Sequence, residues 1–271
     1  MSGVLGVLRL TVPLRFVPTS ATVECLVGLA ARSRERAFTV DDNRLRNNLD
    51  AVEERIRAAC ARAGRPRADV TLVAVTKSAP DEAARLLPEL GLSHLGENRP
   101  QQLWRKAALF PPTIHWHLIG HLQRNKIERT LPLVQLIHSA DRLPLLTSLD
   151  EAAASLGRPV DVLLEINTSR ETSKNGFAPE DVPGIASSVN ALKHVRVRGL
   201  MMMAALEDDP EKCRPSFALL RRLREQLAGL LTDRHAPEHL SMGMSNDFET
   251  AIEEGATLVR IGTALFEGLH G

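Results

Sequence analysis

Eight β-prone runs, each but the last followed by a stretch of helical periodicity, constrain this chain more than any other feature of its sequence. The runs are Thr71–Val75, Ser93–Gly96, Ile114–Ile119, Leu136–His138, Val160–Ile166, Val195–Met202, His239–Ser241 and Thr257–Ile261. The helical stretches read Asp81–Leu90, Pro100–Leu109, a short helix near Gln123, Leu143–Leu156, Glu180–Leu192, Pro215–Leu231 and Asp247–Glu254. Strands joined through helices pair in parallel, because the crossover brings the chain back to run in the same direction. Eight such units in 271 residues fit one α/β domain, a single (β/α)8 TIM barrel, although periodicity alone also admits an open doubly wound sheet. An earlier helix, carried by Leu45, Leu49, Val52, Ile56 and Cys60, is expected to start at an Asp41 or Asp42 cap and to stop at Gly64 and Pro66. The barrel is therefore assigned to residues 39–271. Residues 1–38 read as a poorly ordered N-terminal extension, or as the product of a start site placed too early. Their Arg-containing, acid-poor composition also admits a transit peptide.

Working residues of such a barrel follow the strands at its C-terminal mouth. Lys77 follows Val73-Ala74-Val75; a buried lysine there would lose its proton readily and attack a carbonyl to form a Schiff base. The plainer alternative is a lysine leaving the strand for solvent. Asn98 follows the second strand. His115, His117 and His121 surround the third, but there is no H-E-x-x-H and no helpfully spaced carboxylate. They read as core or hydrogen-bonding histidines, and no metal is expected. His138 and Asp141 follow the fourth strand, with Asp141 read as a helix cap. Asn167 follows the fifth strand, with Lys174-Asn175-Gly176 in the loop beyond. Met201, Met202 and Met203 follow the sixth and divide between core and mouth.

The C-terminal region is the most informative. Ser241-Met242-Gly243-Met244-Ser245 leaves the seventh strand towards a helix, and Arg260-Ile261-Gly262-Thr263 closes the eighth. Barrels commonly hold phosphate at these two strands. Backbone N–H groups and the Ser245 and Thr263 hydroxyls would be the donors, with Gly262 allowing close approach of the ligand. Two ordinary turns and a cap are the competing reading. An amine at strand one facing a phosphate cup suits pyridoxal 5′-phosphate (PLP), which carries an aldehyde and a phosphate. It suits the substrate of a phosphosugar aldolase equally well.

Composition removes other classes. Lys+Arg and Asp+Glu number 34 and 33, a net charge of +1, and aromatics are 3% with no Tyr. Neither a basic field nor stacking platforms for nucleic acid can be built from this. No apolar run approaches the roughly 18 residues of a membrane span. Cys25, Cys60 and Cys213 are odd in number and widely spaced, so reduced thiols in the cytoplasm are expected rather than disulfides or thiolate zinc. In a cytosolic chain the sequon Asn167-Thr168-Ser169 carries no meaning.

Residues 43–268 resemble the pyridoxal phosphate homeostasis proteins. The resemblance rests on Leu72-Val73-Ala74-Val75-Thr76-Lys77, Gly96-Glu97-Asn98 and the run Trp116-His117-Leu118-Ile119-Gly120-His121-Leu122-Gln123-Arg124-Asn125-Lys126. It continues through Arg198-Gly199-Leu200-Met201, Leu240 to Ser245 and Val259 to Ala264. It implies a barrel of the alanine racemase N-terminal-domain type with PLP as a covalent aldimine on Lys77. It further implies Arg260 at the pyridine nitrogen, Ser245, Gly262 and Thr263 on the phosphate, and Asn98 in the pocket, with His117 and Met242 in the same shell. Many relatives carry a second lysine two residues after the first, where this chain has Ala79.

A racemase of the alanine racemase type needs a tyrosine base from a second domain, and this chain has no Tyr. An arginine cannot accept a proton, so at the ring nitrogen it weakens the electron sink that PLP enzymes use. The expected function is non-catalytic PLP buffering or delivery, with PLP-dependent apo-enzymes as partners and a monomeric state. The alternatives are a minor PLP enzyme such as a weak amino-acid racemase, or a PLP-sensing regulatory module.

Overall fold

A computed structural model describes residues 40–168 and 175–269. The expected extension over residues 1–38, Cys25, Ser169 and Lys174 lie outside the described residues. The strands are β1 (Thr71–Val75), β2 (His94–Glu97), β3 (His115–Leu118), β4 (Val134–Ala140), β5 (Val160–Glu165), β6 (Val195–Met201), β7 (His239–Ser241) and β8 (Leu258–Ile261). All pair in parallel with their sequence neighbours, and β8 pairs with β1, closing the barrel. Closure settles the choice that periodicity left open.

The helices are α1 (Val40–Arg62), α2 (Asp81–Leu86), α3 (Pro100–Ala107), α4 (Ile127–Thr130), α5 (Leu143–Ala153), α6 (Ala186–Asn190), α7 (Arg214–Ala228) and α8 (Phe248–Glu253). Pro at the first turn of α3, α5 and α7 costs nothing there, since that N–H has no helical acceptor. Three expectations change. The first helix starts at Val40, so neither Asp41 nor Asp42 is its cap. Glu180–Leu192 is not one helix but a 3-10 turn at Pro179–Asp181 and the short α6, because Pro183 and Gly184 interrupt it. Asp141 does not cap α5; its carboxylate takes Arg142 and His121 at 2.6 and 3.2 Å. The expected stop of α1 is seen: Gly64 is left-handed at φ +63° and Arg65 N–H reaches back to Cys60 O at 2.9 Å.

Among the described residues no helix follows β8, and α1 packs there by contacting both α2 and α8. Arg55 and Arg62 pair with Glu249 and Glu253 of α8 at 2.7 Å each, and the Arg55 guanidinium lies 4.5 Å over the Phe248 ring. The side chains between sheet and helices form the main apolar core, including Leu72, Ala74, Ile137, Val162, Leu164 and Val259. Alternate residues point into the barrel, where Val73, Leu136, Leu163, Met201 and Leu258 form a small separate cluster. Among the described residues no helix is long and apolar enough to cross a membrane. Cys60 and Cys213 are free and buried.

Strand parity also sends His94, His115, His117, His138 and His239 inward. Burial pushes His117 from its ordinary value of 6.5 down to about 3, and pushes His138 well below that ordinary value. Such groups stay neutral in the fold while the unfolded chain protonates, so stability present above pH 6.5 is lost as pH falls towards the depressed values. His117 alone should remove about 2 kcal/mol of unfolding free energy between pH 7 and pH 5, and His138 adds to the loss. Urea unfolding at the two pH values checks this, and His117→Gln should recover most of the His117 share; an unchanged midpoint would contradict it.

Candidate functional site

At the C-terminal mouth of the barrel lies a cavity of about 680 Å³. Six of the eight expected site residues line it: Lys77, Asn98, Ser245, Arg260, Gly262 and Thr263. They come from the ends of β1, β2, β7 and β8, which closure makes neighbours. His117 and Met242 do not line it. His117 sits one layer down inside the barrel, and Met242 is fully buried in the outer apolar core. His121, Met203 and Phe266 complete the rim.

Lys77 is exposed, as in the plainer of the two readings of the strand before it, and it also lines the cavity. Its start is set by the rigid residues beside it. Thr76 and Glu97 are both fully buried. The Thr76 hydroxyl donates to Glu97 Oε1 at 2.7 Å, and Lys106 Nζ donates to the same oxygen and to Thr76 O, both at 2.6 Å. This buried ion pair ties the ends of β1 and β2 to α3, and so sets the start of the Lys77 and Asn98 segments. Glu97 Oε2 has no hydrogen-bond partner among the described residues.

The other wall is made of the two turns after β7 and β8. Gly243 stands at φ +92°, where a Cβ would lie 2.8 Å from Phe248 Cα, so the turn after β7 requires glycine. Asp247 accepts the Met244 N–H at 2.6 Å, and Ser245 Oγ accepts the Ala264 N–H at 3.2 Å, joining the two turns. The N–H groups of Ser245, Asn246 and Thr263 form no hydrogen bond among the described residues. Helix α8 is only six residues long, so these turn amides, not a helix dipole, are the donors. Gly262 has a reason other than ligand approach: a Cβ there would meet Val75 O at 3.0 Å.

Arg260 forms the floor. It is 5% exposed, points inward beside Val73, and burial draws its guanidinium down to about 10, so it remains charged at neutral pH. Nη1 donates to Ser241 Oγ at 2.6 Å and Nη2 to Met202 O at 2.8 Å. Glu165, at the end of β5, is buried; desolvation and nearby Asp141 raise its carboxyl to about 7, against the pull of Arg260.

Below Arg260 the polar groups continue as a chain. Ser241 Oγ lies 2.8 Å from His138 Nδ1, His138 Nε2 lies 2.8 Å from His117 Nδ1, and His117 Nε2 lies 2.9 Å from His94 Nδ1. The histidines thus bind one another, and no cluster suited to a metal ion exists among the described residues. Reading strand ends alone missed Ser241, Glu165 and Lys106. Ser241 and Glu165 share strand parity with recognised residues, so alternation carried a signal. Lys106 lies on a helix and carried none.

The alanine racemase N-terminal domain model matches residues 47–269. A pyridoxal phosphate homeostasis protein of Aquifex aeolicus is 43% identical over 219 residues, covering 80% of this chain and 95% of that protein. Two solved structures are also similar. A Bifidobacterium adolescentis protein of unknown function has a TM-score of 0.77 at 35% identity, covering 86% of this chain and 98% of that one. PipY of Synechococcus elongatus, solved with PLP bound, has a TM-score of 0.68 at 34% identity, covering 79% and 99%.

Lys106→Met should destabilise the fold by about 3–5 kcal/mol, since it leaves Glu97 charged and unpaired in the core. Adding Glu97→Gln should return part of that loss in a denaturation cycle; additive losses would contradict the pairing.

Proposed function

The chain belongs to the pyridoxal phosphate homeostasis proteins, which share the alanine racemase N-terminal barrel, and on that premise we propose that it binds PLP at the barrel mouth and buffers or delivers it in the cytoplasm. The observation that carries this reading is the cavity itself. An amine, a charged guanidinium and two residues with unused turn amides, Ser245 and Thr263, line one space of about 680 Å³, and this donor set fits an aldehyde, a ring acceptor and a phosphate. The similarity to PipY, solved with PLP bound, supports PLP as the ligand.

In this reading Lys77 would hold the aldehyde end of the ligand through its amine. When bound, the group supplies a reactive carbon and an aromatic ring that can store electrons. The chain's own residues do the rest. Ser245, Thr263 and the free amides bind the phosphate. Arg260 offers a cation to the ring nitrogen and disfavours a proton there. Asn98 bounds the cavity beside Lys77. The Lys77 side is solvent-exposed, and an exposed linkage is open to hydrolysis and to exchange with other amines, as delivery requires. The chain is read as a monomer that hands PLP to apo-enzymes rather than as a catalyst. It has no Tyr to serve as an opposed base.

Colour and trapping, PLP retention, and transfer to an apo-enzyme test this. The purified chain loaded with PLP should be yellow, and borohydride should fix the cofactor to the Lys77 peptide; Lys77→Ala should lose both. Ser245→Ala or Thr263→Val should weaken PLP retention about tenfold each, since a hydrogen bond to a charged group contributes about 1.5–3 kcal/mol. Loaded protein should activate an apo-enzyme without racemising alanine. Turnover of amino acids at rates typical of enzymes, with no transfer, would overturn the carrier reading.

A further inference from the structure

The chain that leads from Arg260 to His94 has a fixed hydrogen-bond direction, and the direction follows from its Arg260 end. Arg260 Nη1 can only donate, so Ser241 Oγ accepts from it at 2.6 Å. The Ser241 hydroxyl proton then has His138 Nδ1, at 2.8 Å, as its acceptor among the described residues. His138 must therefore carry its proton on Nε2 and donate it to His117 Nδ1. His117 in turn must carry its proton on Nε2 and donate to His94 Nδ1. Every link is 2.6–2.9 Å, and Ser241, His138 and His117 are all at most 2% exposed. The His117 and His138 rings cross edge to face at 72°, and His94 stacks on His115 with centroids 4.8 Å apart, so ring flips meet packed neighbours.

Reversal of this order has a definite consequence. If His138 presented a proton at Nδ1, Ser241 would have donors on both sides and no acceptor for its own hydroxyl. A buried hydroxyl left so costs about 1–3 kcal/mol, and rotation of Ser241 or of the Arg260 guanidinium would relieve it. The other anchor of Arg260, Met202 O, holds one nitrogen only and cannot by itself fix the plane of the guanidinium.

We propose that His138 and Ser241 are positioning residues for Arg260, and that His117 and His94 enforce the tautomer on which this depends. The row thus sets how the cationic floor of the cavity presents itself to the ring acceptor of a bound cofactor. This rests on the placement of Arg260 at that ring, proposed above.

The test is a pH titration of the visible absorbance of the full PLP-loaded chain. Arg260→Gln removes the cation and should raise the midpoint of the band's titration by at least about half a pH unit. His138→Leu should raise it in the same sense, and His138→Asn, which restores an acceptor near Nδ1, should bring it back. In the Arg260→Gln background His138→Leu should add nothing. Ser241→Ala gives the same readout should His138→Leu fail to fold. In the ligand-free chain, nitrogen NMR should find His138 and His117 protonated on Nε2. A wild-type midpoint in both His138→Leu and Ser241→Ala, beside a shifted Arg260→Gln, overturns the positioning role, as do Nδ1-protonated rings. An unshifted Arg260→Gln overturns instead the placement of Arg260 at the ring, and the proposal falls with it.

Discussion

Burying the Arg260 guanidinium inside a parallel barrel costs several kcal/mol unless its donors are met and its charge is balanced. Most of the interior can be read as the answer to that cost. Ser241 and the Met202 carbonyl meet the donors, while Asp247 and Glu165 supply opposite charge nearby. Placing Ser241 there requires an acceptor for its hydroxyl, and His138 provides one. A buried imidazole needs partners at both nitrogens, which brings in His117 and then His94. Barrel interiors are usually filled by branched apolar side chains. Here the apolar interior cluster shrinks to five residues, and a polar row takes the remaining space.

The two walls of the cavity are rigid for different reasons. The Lys77 side hangs on the Thr76–Glu97–Lys106 ion pair, which fixes backbone and leaves the lysine itself free. The opposite side hangs on two turns joined by Ser245, the first of them braced by Asp247, which leave three amides unused among the described residues. A fixed cup and a free amine together suit a ligand held firmly at one end and exchanged at the other. That is the behaviour asked of a carrier. An enzyme would gain from closing the lysine away from water.

The barrel was legible in the sequence because parallel strands covered on both sides leave continuous apolar runs such as Val73-Ala74-Val75 and Val160 to Ile166. Boundaries failed where local signals compete, as at Pro183-Gly184 within the expected sixth helix. Residues at strand ends were legible because closure brings them together, and six of the eight expected site residues meet at one cavity. His117 fell outside it because alternation gives the face of the sheet but not the depth within the barrel. Lys106 was invisible because its partner Glu97 is nine residues away and on a different element. The setting of Lys77 stayed open between buried and solvent-facing because an apolar strand says nothing about the residue that follows it, and the structure shows it exposed.

In the proposed reading one cavity holds PLP between Lys77 and the two C-terminal turns, above an Arg260 fixed from below. A crystal structure of the full chain loaded with PLP should show density continuous from Lys77 Nζ to the cofactor and a phosphate at Ser245 and Thr263. Arg260 should remain on Ser241 Oγ and Met202 O while it faces the ring nitrogen. Cofactor bound elsewhere on the chain, or in this cavity with its phosphate directed away from the two turns, would contradict it.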